Sequence, residues 1–237
     1  MKPHLVKTWC IGTINALFLA VMENVLRLYR LPYDKDYPLL CFDERPCFLI
    51  GDKIQGLDLK PGQVRKQDNE YIKNGSCNLL LAIEPLTGKR IALIYDKRRK
   101  IEYAEFMQIV ASHYPEAKKI RLLQDNLNTH NASSFYERFD APTAYELTQK
   151  FEFHYTPKKG SWLNTAEIEF SAIARGCLNR RIATKKELEQ EVLAFIKERE
   201  EKQIKINWTF DITAARQKMK RHYEKVNSAN KSAIKKC

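Results

Sequence analysis

Three acids far apart in the chain, Asp43, Asp125 and Glu167, have the residue type and the settings for one kind of chemistry. Carboxylate oxygens are the preferred ligands of hard divalent cations such as Mg²⁺, which keep several waters when bound. Two such ions about 4 Å apart can activate an attacking oxygen and stabilise a leaving one at phosphorus. The acids of such a site must be remote in sequence and convergent in space. Two strands and a helix can bring that about. By itself the pattern is weak: the chain has 29 acidic residues, and three on loops or edges are more often solvated charges.

The elements that must position them can be read from local pattern. Asp125 ends the apolar run Ile120-Arg121-Leu122-Leu123-Gln124, and the polar turn Asn126-Leu127-Asn128-Thr129-His130 follows. A strand presents a carboxylate this way at its carboxyl end, where open α/β sheets place ligands. Asp43 ends the buried-strand pattern Leu39-Leu40-Cys41-Phe42, which Phe48-Leu49-Ile50 can continue beyond Pro46. Glu167 falls on a helix over about 162–178, with Leu163, Ala166, Phe170, Ile173, Ala174 and Cys177 as its apolar stripe. Measured from Leu163, Glu167 lies within about 40° and Glu169 about 120° away. The spacing therefore predicts Glu167 toward the sheet and Glu169 toward solvent.

Elsewhere, helical spacing covers 13–29. A hairpin covers 77–83 and 90–95, and a helix covers 101–113 with Phe106, Ile109, Val110 and His113 on one face. A short helix near 133–139 precedes a strand at 151–155. Thr184-Lys185-Lys186-Glu187 is a capping box opening a helix to about Arg199, with Leu188, Val192, Phe195 and Ile196 inward. A last helix over 213–223 follows Asp211, and a polar, frayed tail begins at Val226. Residues 51–75 read as a long irregular loop that binds something, with Lys60, Arg65 and Lys66 as cations for nucleic acid. The expected fold is α/β, a mixed sheet flanked by helices. It divides into a linker and helix (1–36), a catalytic domain (37–203) and a basic helix with its tail (204–237).

The formal net charge of +12 favours polyanionic partners, nucleic acid first. From Arg180 to Cys237 there are 16 basic and 8 acidic residues, so two thirds of the excess lies in the last quarter. None of the six cysteines forms a C-x-x-C pair, and Cys41, Cys47 and Cys77 sit in strand-like runs where a free thiol packs as a small hydrophobe. The spacing argues against a disulfide framework and for a reducing, cytosolic compartment. The apolar stretch Ala16-Leu17-Phe18-Leu19-Ala20-Val21 is too short to span a membrane, and no secretory leader is evident.

Three blocks carry a family resemblance: Cys41-Phe42-Asp43-Glu44, Asp125-Asn126-Leu127-Asn128-Thr129-His130 and Gly160-Ser161-Trp162-Leu163-Asn164-Thr165-Ala166-Glu167. They resemble the signature blocks of bacterial insertion-sequence transposases of the six-thirty family, relatives of the mariner transposases. Tyr71-Ile72-Lys73-Asn74-Gly75, Glu84-Pro85-Leu86-Thr87-Gly88, His154-Tyr155-Thr156-Pro157 and Arg180-Arg181-Ile182 are similar as well, in the same order. The resemblance implies a ribonuclease H-like catalytic domain with Asp43, Asp125 and Glu167 as an Asp-Asp-Glu triad holding two Mg²⁺ or Mn²⁺ ions. It implies hydrolysis at transposon ends, then attack of the freed 3′-hydroxyl on target DNA, by a homodimer or larger assembly in the bacterial cytoplasm, associated with the nucleoid. Members usually carry an amino-terminal helix-turn-helix region. This sequence starts near where that region would finish, which raises a second reading: a non-catalytic DNA-binding fragment working with, or inhibiting, a partner chain.

Around the triad, Asn126 and His130 suit orientation of a metal water or contact with phosphate, against the alternative of turn chemistry and capping. Glu44 should face the other side of the strand from Asp43, as a structural or supporting group. Trp162 suits stacking on a base or packing at the helix start, and Asn164 suits DNA contact or capping. Lys97, Arg98, Arg99, Lys158, Lys159, Arg180 and Arg181, with the cluster from Arg216 to Arg221, are candidates for sequence-neutral phosphate contacts or plain solvated charge.

Overall fold

The computed structural model describes residues 13–54, 62 and 68–234. A five-stranded sheet lies at its centre, in the order β3-β2-β1-β4-β5. The strands are β1 (Leu39–Asp52), β2 (Tyr71–Ile83), β3 (Arg90–Tyr95), β4 (Ile120–Gln124) and β5 (Phe151–Tyr155). The β3-β2-β1 half is antiparallel, and β1, β4 and β5 run parallel. The helices are α1 (Ala16–Tyr29), α2 (Lys100–Ser112), α3 (Ser133–Arg138), α4 (Ala141–Lys150), α5 (Ala166–Gly176), α6 (Lys185–Glu201), α7 (Ile212–Lys218), α8 (Lys220–Val226) and α9 (Asn230–Ile234). This is a mixed sheet flanked by helices, as the strand and helix order predicts, and it agrees with the ribonuclease H-like fold that the family resemblance implies.

Strand alternation sorts the core by sheet face. On one face Leu40, Phe42, Leu80 and Leu122 pack with Tyr103, Phe106 and Val110 of α2, Phe135 of α3 and Leu147 of α4. On the other, Leu39, Cys41 and Leu123 meet α1 through Met22 and Leu26, Ala166 of α5, and Ala215, Tyr223 and Ile234 of the carboxyl-terminal helices. Farther along that face Leu79 and Leu81 pack against Phe170 and Ile173 of α5 and Leu188 and Val192 of α6. Cys41, Cys47, Cys77 and Cys177 are free and buried among these groups. Among the described residues no helix is long and apolar enough to cross a membrane.

Several boundaries differ from the sequence reading. Strand β1 runs on through Asp43 to Asp52, so Asp43 is not at a strand terminus. Strand β2 starts at Tyr71, which makes 71–75 strand rather than loop. Its pairing with β1 shifts register between Leu49 and Ile50, beside Gly75 at φ 107°. The loop cations Lys60, Arg65 and Lys66, and the amino-terminal residues 1–12, lie outside the described residues. Helix α4 was not anticipated. Asp140 caps it by accepting from Thr143 N at 2.8 Å, but it buries only Ala144 and Leu147, too little for an apolar stripe. In α2 Tyr103 and Met107 turn inward with Phe106 and Val110, while His113 is exposed. The helix expected over 213–223 divides at Met219 into α7 and α8. The expected frayed tail contains α9, whose Ile234 is buried.

Candidate active site

Strand register sets the first two acids side by side. On the parallel pair β1 and β4, Cys41 is level with Leu123. Two residues farther along each chain stand Asp43 and Asp125, at the carboxyl end of β4. Glu167 enters from the first turn of α5. The approach to that turn is fastened to the sheet and to α1. Asn164 Nδ2 donates to the Phe42 carbonyl at 2.7 Å and reaches Asp43 Oδ2 at 3.4 Å, and its Oδ1 accepts from Ala166 N at 3.2 Å. Tyr29 donates its hydroxyl proton to the Leu163 carbonyl at 2.7 Å and accepts from Thr165 N at 3.2 Å.

The electrostatics tie the three acids together. Burial pushes the Asp43 carboxyl up to about 7. The Glu44 amide, donating to Asp43 Oδ1 at 2.8 Å, opposes that rise, and the charges of Glu167 and Asp125 add to it. The charge of His130 also opposes the rise, and the like charges are what acids near one another impose on each other. Asp125 is hydrogen-bonded to His130 Nδ1. Burial alone would lower the His130 pKa. The Asp125 hydrogen bond and the Glu44 carboxylate outweigh burial and raise it to about 9. The ring is held by stacking on Tyr103 at 5.0 Å and by the edge of Phe42 at 5.1 Å. Among the described residues, no group of three or more His, Cys, Asp or Glu side chains is placed so that it could hold a metal ion as it stands. The donor type still suits a hard cation: three carboxylates on three elements, one of them raised by burial and, to a lesser degree, by the other two.

The helical-wheel expectation for Glu169 is corrected. Glu169 is fully buried, while Glu167 is exposed. Arg90 Nε and Nη2 donate to the two Glu169 oxygens at 2.8 and 3.0 Å, and Arg199 does the same at 2.7 and 3.0 Å. The wheel had the wrong origin. Leu163 belongs to a separate 3₁₀ turn over Ser161–Leu163. Referred to Ala166, Phe170 and Ile173, Glu169 lies about 70° from the centre of the stripe and Glu167 about 90°.

The supporting candidates divide. Glu44 leaves the opposite face from Asp43 and meets Arg98 and His130. Asn126 and Asn128 are exposed in the turn after Asp125. Asn164 is 1% exposed, so it is a fastening between α5 and β1 and not a surface for DNA. Arg181 is also committed: it pairs with Asp52 at 2.7 Å and donates to the carbonyls of Asp68 and Glu70, holding the ends of β1 and β2. Arg99 is clamped by Glu102, Arg180 pairs with Glu191, and Arg216 pairs with Glu23. Lys97, Lys158 and Lys159 are exposed, with no ion pair among the described residues. Trp162 is 46% exposed, its ring 5.8 Å from Phe210. Tyr29 and Gln124 escaped the sequence reading. Tyr29 finds its partner 134 residues away, and Gln124 joins Tyr103 to the His130 carbonyl. No local pattern marks either.

Comparison with known proteins bears on the fold and the family. In fold the chain is similar to the Mos1 mariner paired-end complex with Mn, at TM-score 0.54 and 14% identity over 98% of this chain and 65% of that one. It is similar to the Mos1 transposase paired-end complex with left transposon end at 0.54 and 14%, over 95% and 66%. It is similar to the Mos1 strand transfer complex at 0.53 and 12%, over 98% and 64%. The chain thus spans just under two thirds of the length of each, and at these identities the likeness is one of fold. No curated protein matches it. The family model described as DDE superfamily endonuclease matches residues 38–189, which include Asp43, Asp125 and Glu167. The chain belongs to the DDE superfamily endonucleases.

Proposed function

We propose that this chain is the catalytic domain of a DNA transposase, of the bacterial insertion-sequence group related to mariner elements. Asp43, Asp125 and Glu167 are its catalytic acids and its ligands for two Mg²⁺ or Mn²⁺ ions. The observation that carries the reading is the parallel register of β1 and β4, which sets Asp43 beside Asp125 two residues past the pairing of Cys41 with Leu123, with Glu167 near enough for its charge to act on Asp43. Such a group is poorly tolerated until a cation joins it. The bound ions would supply Lewis-acid stabilisation of charge at phosphorus.

The chain's own residues do the rest. Asn164 holds Asp43 from one side and His130 holds Asp125 from the other. Lys97, Lys158 and Lys159 contact backbone phosphates without reading sequence, so binding weakens steeply with salt. Water first displaces the 3′-oxygen of the strand at the transposon end, leaving a free 3′-hydroxyl. That hydroxyl then displaces a 3′-oxygen in target DNA. Both are in-line displacements at phosphorus that differ only in the nucleophile, so one site serves both. The work is done on DNA by a homodimer or larger assembly. The test is strand transfer by the purified protein with Mg²⁺ on DNA carrying the element's ends. Asp125→Asn should abolish cleavage and joining while DNA binding persists. Unchanged cleavage in that variant, or activity that survives chelation, overturns the assignment.

A further inference from the structure

Four polar side chains in a row lead from the surface to Asp125. Arg98 Nη1 donates to Glu44 Oε1 at 3.3 Å. The other Glu44 oxygen lies 3.7 Å from His130 Nε2, and His130 Nδ1 is hydrogen-bonded to Asp125. The side chains are 55%, 7%, 0% and 29% exposed in that order. Only the two ends meet solvent. The inner members have little freedom. His130 lies between Tyr103 and Phe42, and its carbonyl accepts from Gln124 Nε2 at 2.8 Å.

The chain has one loose joint. At 3.7 Å the contact between Glu44 and Nε2 is too long for a hydrogen bond, and Nε2 is buried without another partner. Glu44 is therefore shared between Arg98 and His130. Arg98, more than half exposed, is held only weakly by that pairing. It also lines an open hollow of about 300 Å³ with Glu44, Asn126, Leu127, Asn128 and Thr129, directly after Asp125. The Glu44 carboxylate repels an anion there as long as it faces the hollow. A guanidinium flanked by amide and hydroxyl groups suits a phosphate, which binds Arg in bidentate fashion.

We propose that this hollow seats a backbone phosphate of DNA, and that Arg98, Glu44 and His130 make the pose of Asp125 depend on it. The phosphate draws Arg98 off Glu44. Glu44 then closes onto Nε2, and His130 holds Asp125 in the pose that accepts a cation. Glu44 and His130 are positioning residues, and Arg98 is the contact with substrate. DNA and metal ion then assist each other's binding, since coupling between two sites is reciprocal. The inference rests on Asp125 being a ligand, as proposed above.

The test is Mn²⁺ affinity of the metal-free full chain, read by electron paramagnetic resonance with and without a DNA duplex, after subtracting the Mn²⁺ held by DNA alone. In the natural protein DNA should tighten Mn²⁺ binding about tenfold, within the usual range of coupling. In Arg98→Gln and in Glu44→Gln the tightening should fall below about twofold, with DNA still bound by the other cations. Arg98→Gln changes a surface group and Glu44→Gln keeps shape, so an unchanged melting temperature certifies both. Tightening that is absent in the natural protein, or undiminished in both variants, overturns the relay. Asp125→Asn is the separate arm: if it binds Mn²⁺ as tightly as the natural protein, the ligand assignment fails, whatever DNA does.

Discussion

Glu167 and Glu169 share the first turn of α5, and their surroundings are opposite. Glu169 is sealed from solvent and answered by two arginines through four hydrogen bonds. Arg90 is itself sealed, and donates further to the carbonyls of Gly88 and Ile204. Its backbone amide donates to Glu200 at 2.6 Å. That cluster joins the β2–β3 turn, α5, the end of α6 and the segment after it. Glu167 is exposed, and with Asp125 its charge adds to the rise that burial causes at Asp43, against which the protein sets the Glu44 amide and the charge of His130. A buried charge must be compensated. Where the chain provides the partner, the acid holds the fold. On the function proposed above, the acids of the other group are instead reserved for a cation that arrives from outside.

The sharpest way to break that contrast is to remove each charge in turn. Glu167→Gln should lower DNA cleavage on the order of 10³-fold or more, about 4 kcal/mol of transition-state stabilisation, with melting unchanged. Glu169→Gln should do the reverse. It leaves Arg90 buried with its charge unanswered, which costs about 3–5 kcal/mol in urea denaturation. Replacing Glu169, Arg90 and Arg199 together by Met should recover more than half of that loss, since an apolar cluster carries no uncompensated charge. If Glu167→Gln destabilises the chain and Glu169→Gln does not, the two roles have been exchanged.

Next in size is the pH dependence of the metal-free protein. The Asp43 carboxyl is raised to about 7 in the fold, above the roughly 3.9 of an unfolded chain. Between those values the native state binds the extra proton, so stability falls as pH rises from about 4 to 7 and levels off above. The loss is about 2–4 kcal/mol, and Asp43→Asn should abolish it. His130 is raised to about 9. Its contribution is complete below about 6.5 and is lost as pH climbs through 9. That later decline should persist in Asp43→Asn. Saturating Mg²⁺ should flatten the Asp43 part in the natural protein only. A metal-free stability curve flat from pH 4 to 7 would show that Asp43 is not strained.

Much of this was legible in local pattern, and the failures share a cause. The run from Ile120 to Gln124 ending in Asp125 declared a strand and its exposed end. The register that makes Asp43 its neighbour, two residues past the pairing of Cys41 with Leu123, is a property of two strands and lies in neither alone. One wheel turned Glu167 toward the sheet and Glu169 toward solvent, and the fold exposes the first and buries the second. An acid on a helix reads as surface until its partners are known, and Arg90 and Arg199 stand 79 and 30 residues away. Arg181 and Asn164 looked available to DNA for the same reason. Their partners, the Asp68 and Glu70 carbonyls and the Phe42 carbonyl, are backbone groups that no residue type announces.

The smallest effect separates the two arginines and tests how the clamp divides its labour. Arg199 keeps 17% of its side chain exposed, whereas Arg90 keeps none. Removing Arg199 leaves Glu169 bidentate with Arg90 and lets water approach the vacated side. Arg199→Gln should therefore cost about 1–2 kcal/mol, the scale of charge-assisted hydrogen bonds partly replaced by water. Arg90→Gln strips Glu169 of its buried partner and leaves two carbonyls without their donor, so it should cost about 3 kcal/mol or more. Equal costs in urea denaturation would mean that Glu169 is neutralised from the α6 side as much as from the sheet. The first turn of α5, and Glu167 with it, would then be referenced to a helix and not to the sheet that carries Asp43 and Asp125. That geometry would let the third acid drift from the other two whenever α6 moved.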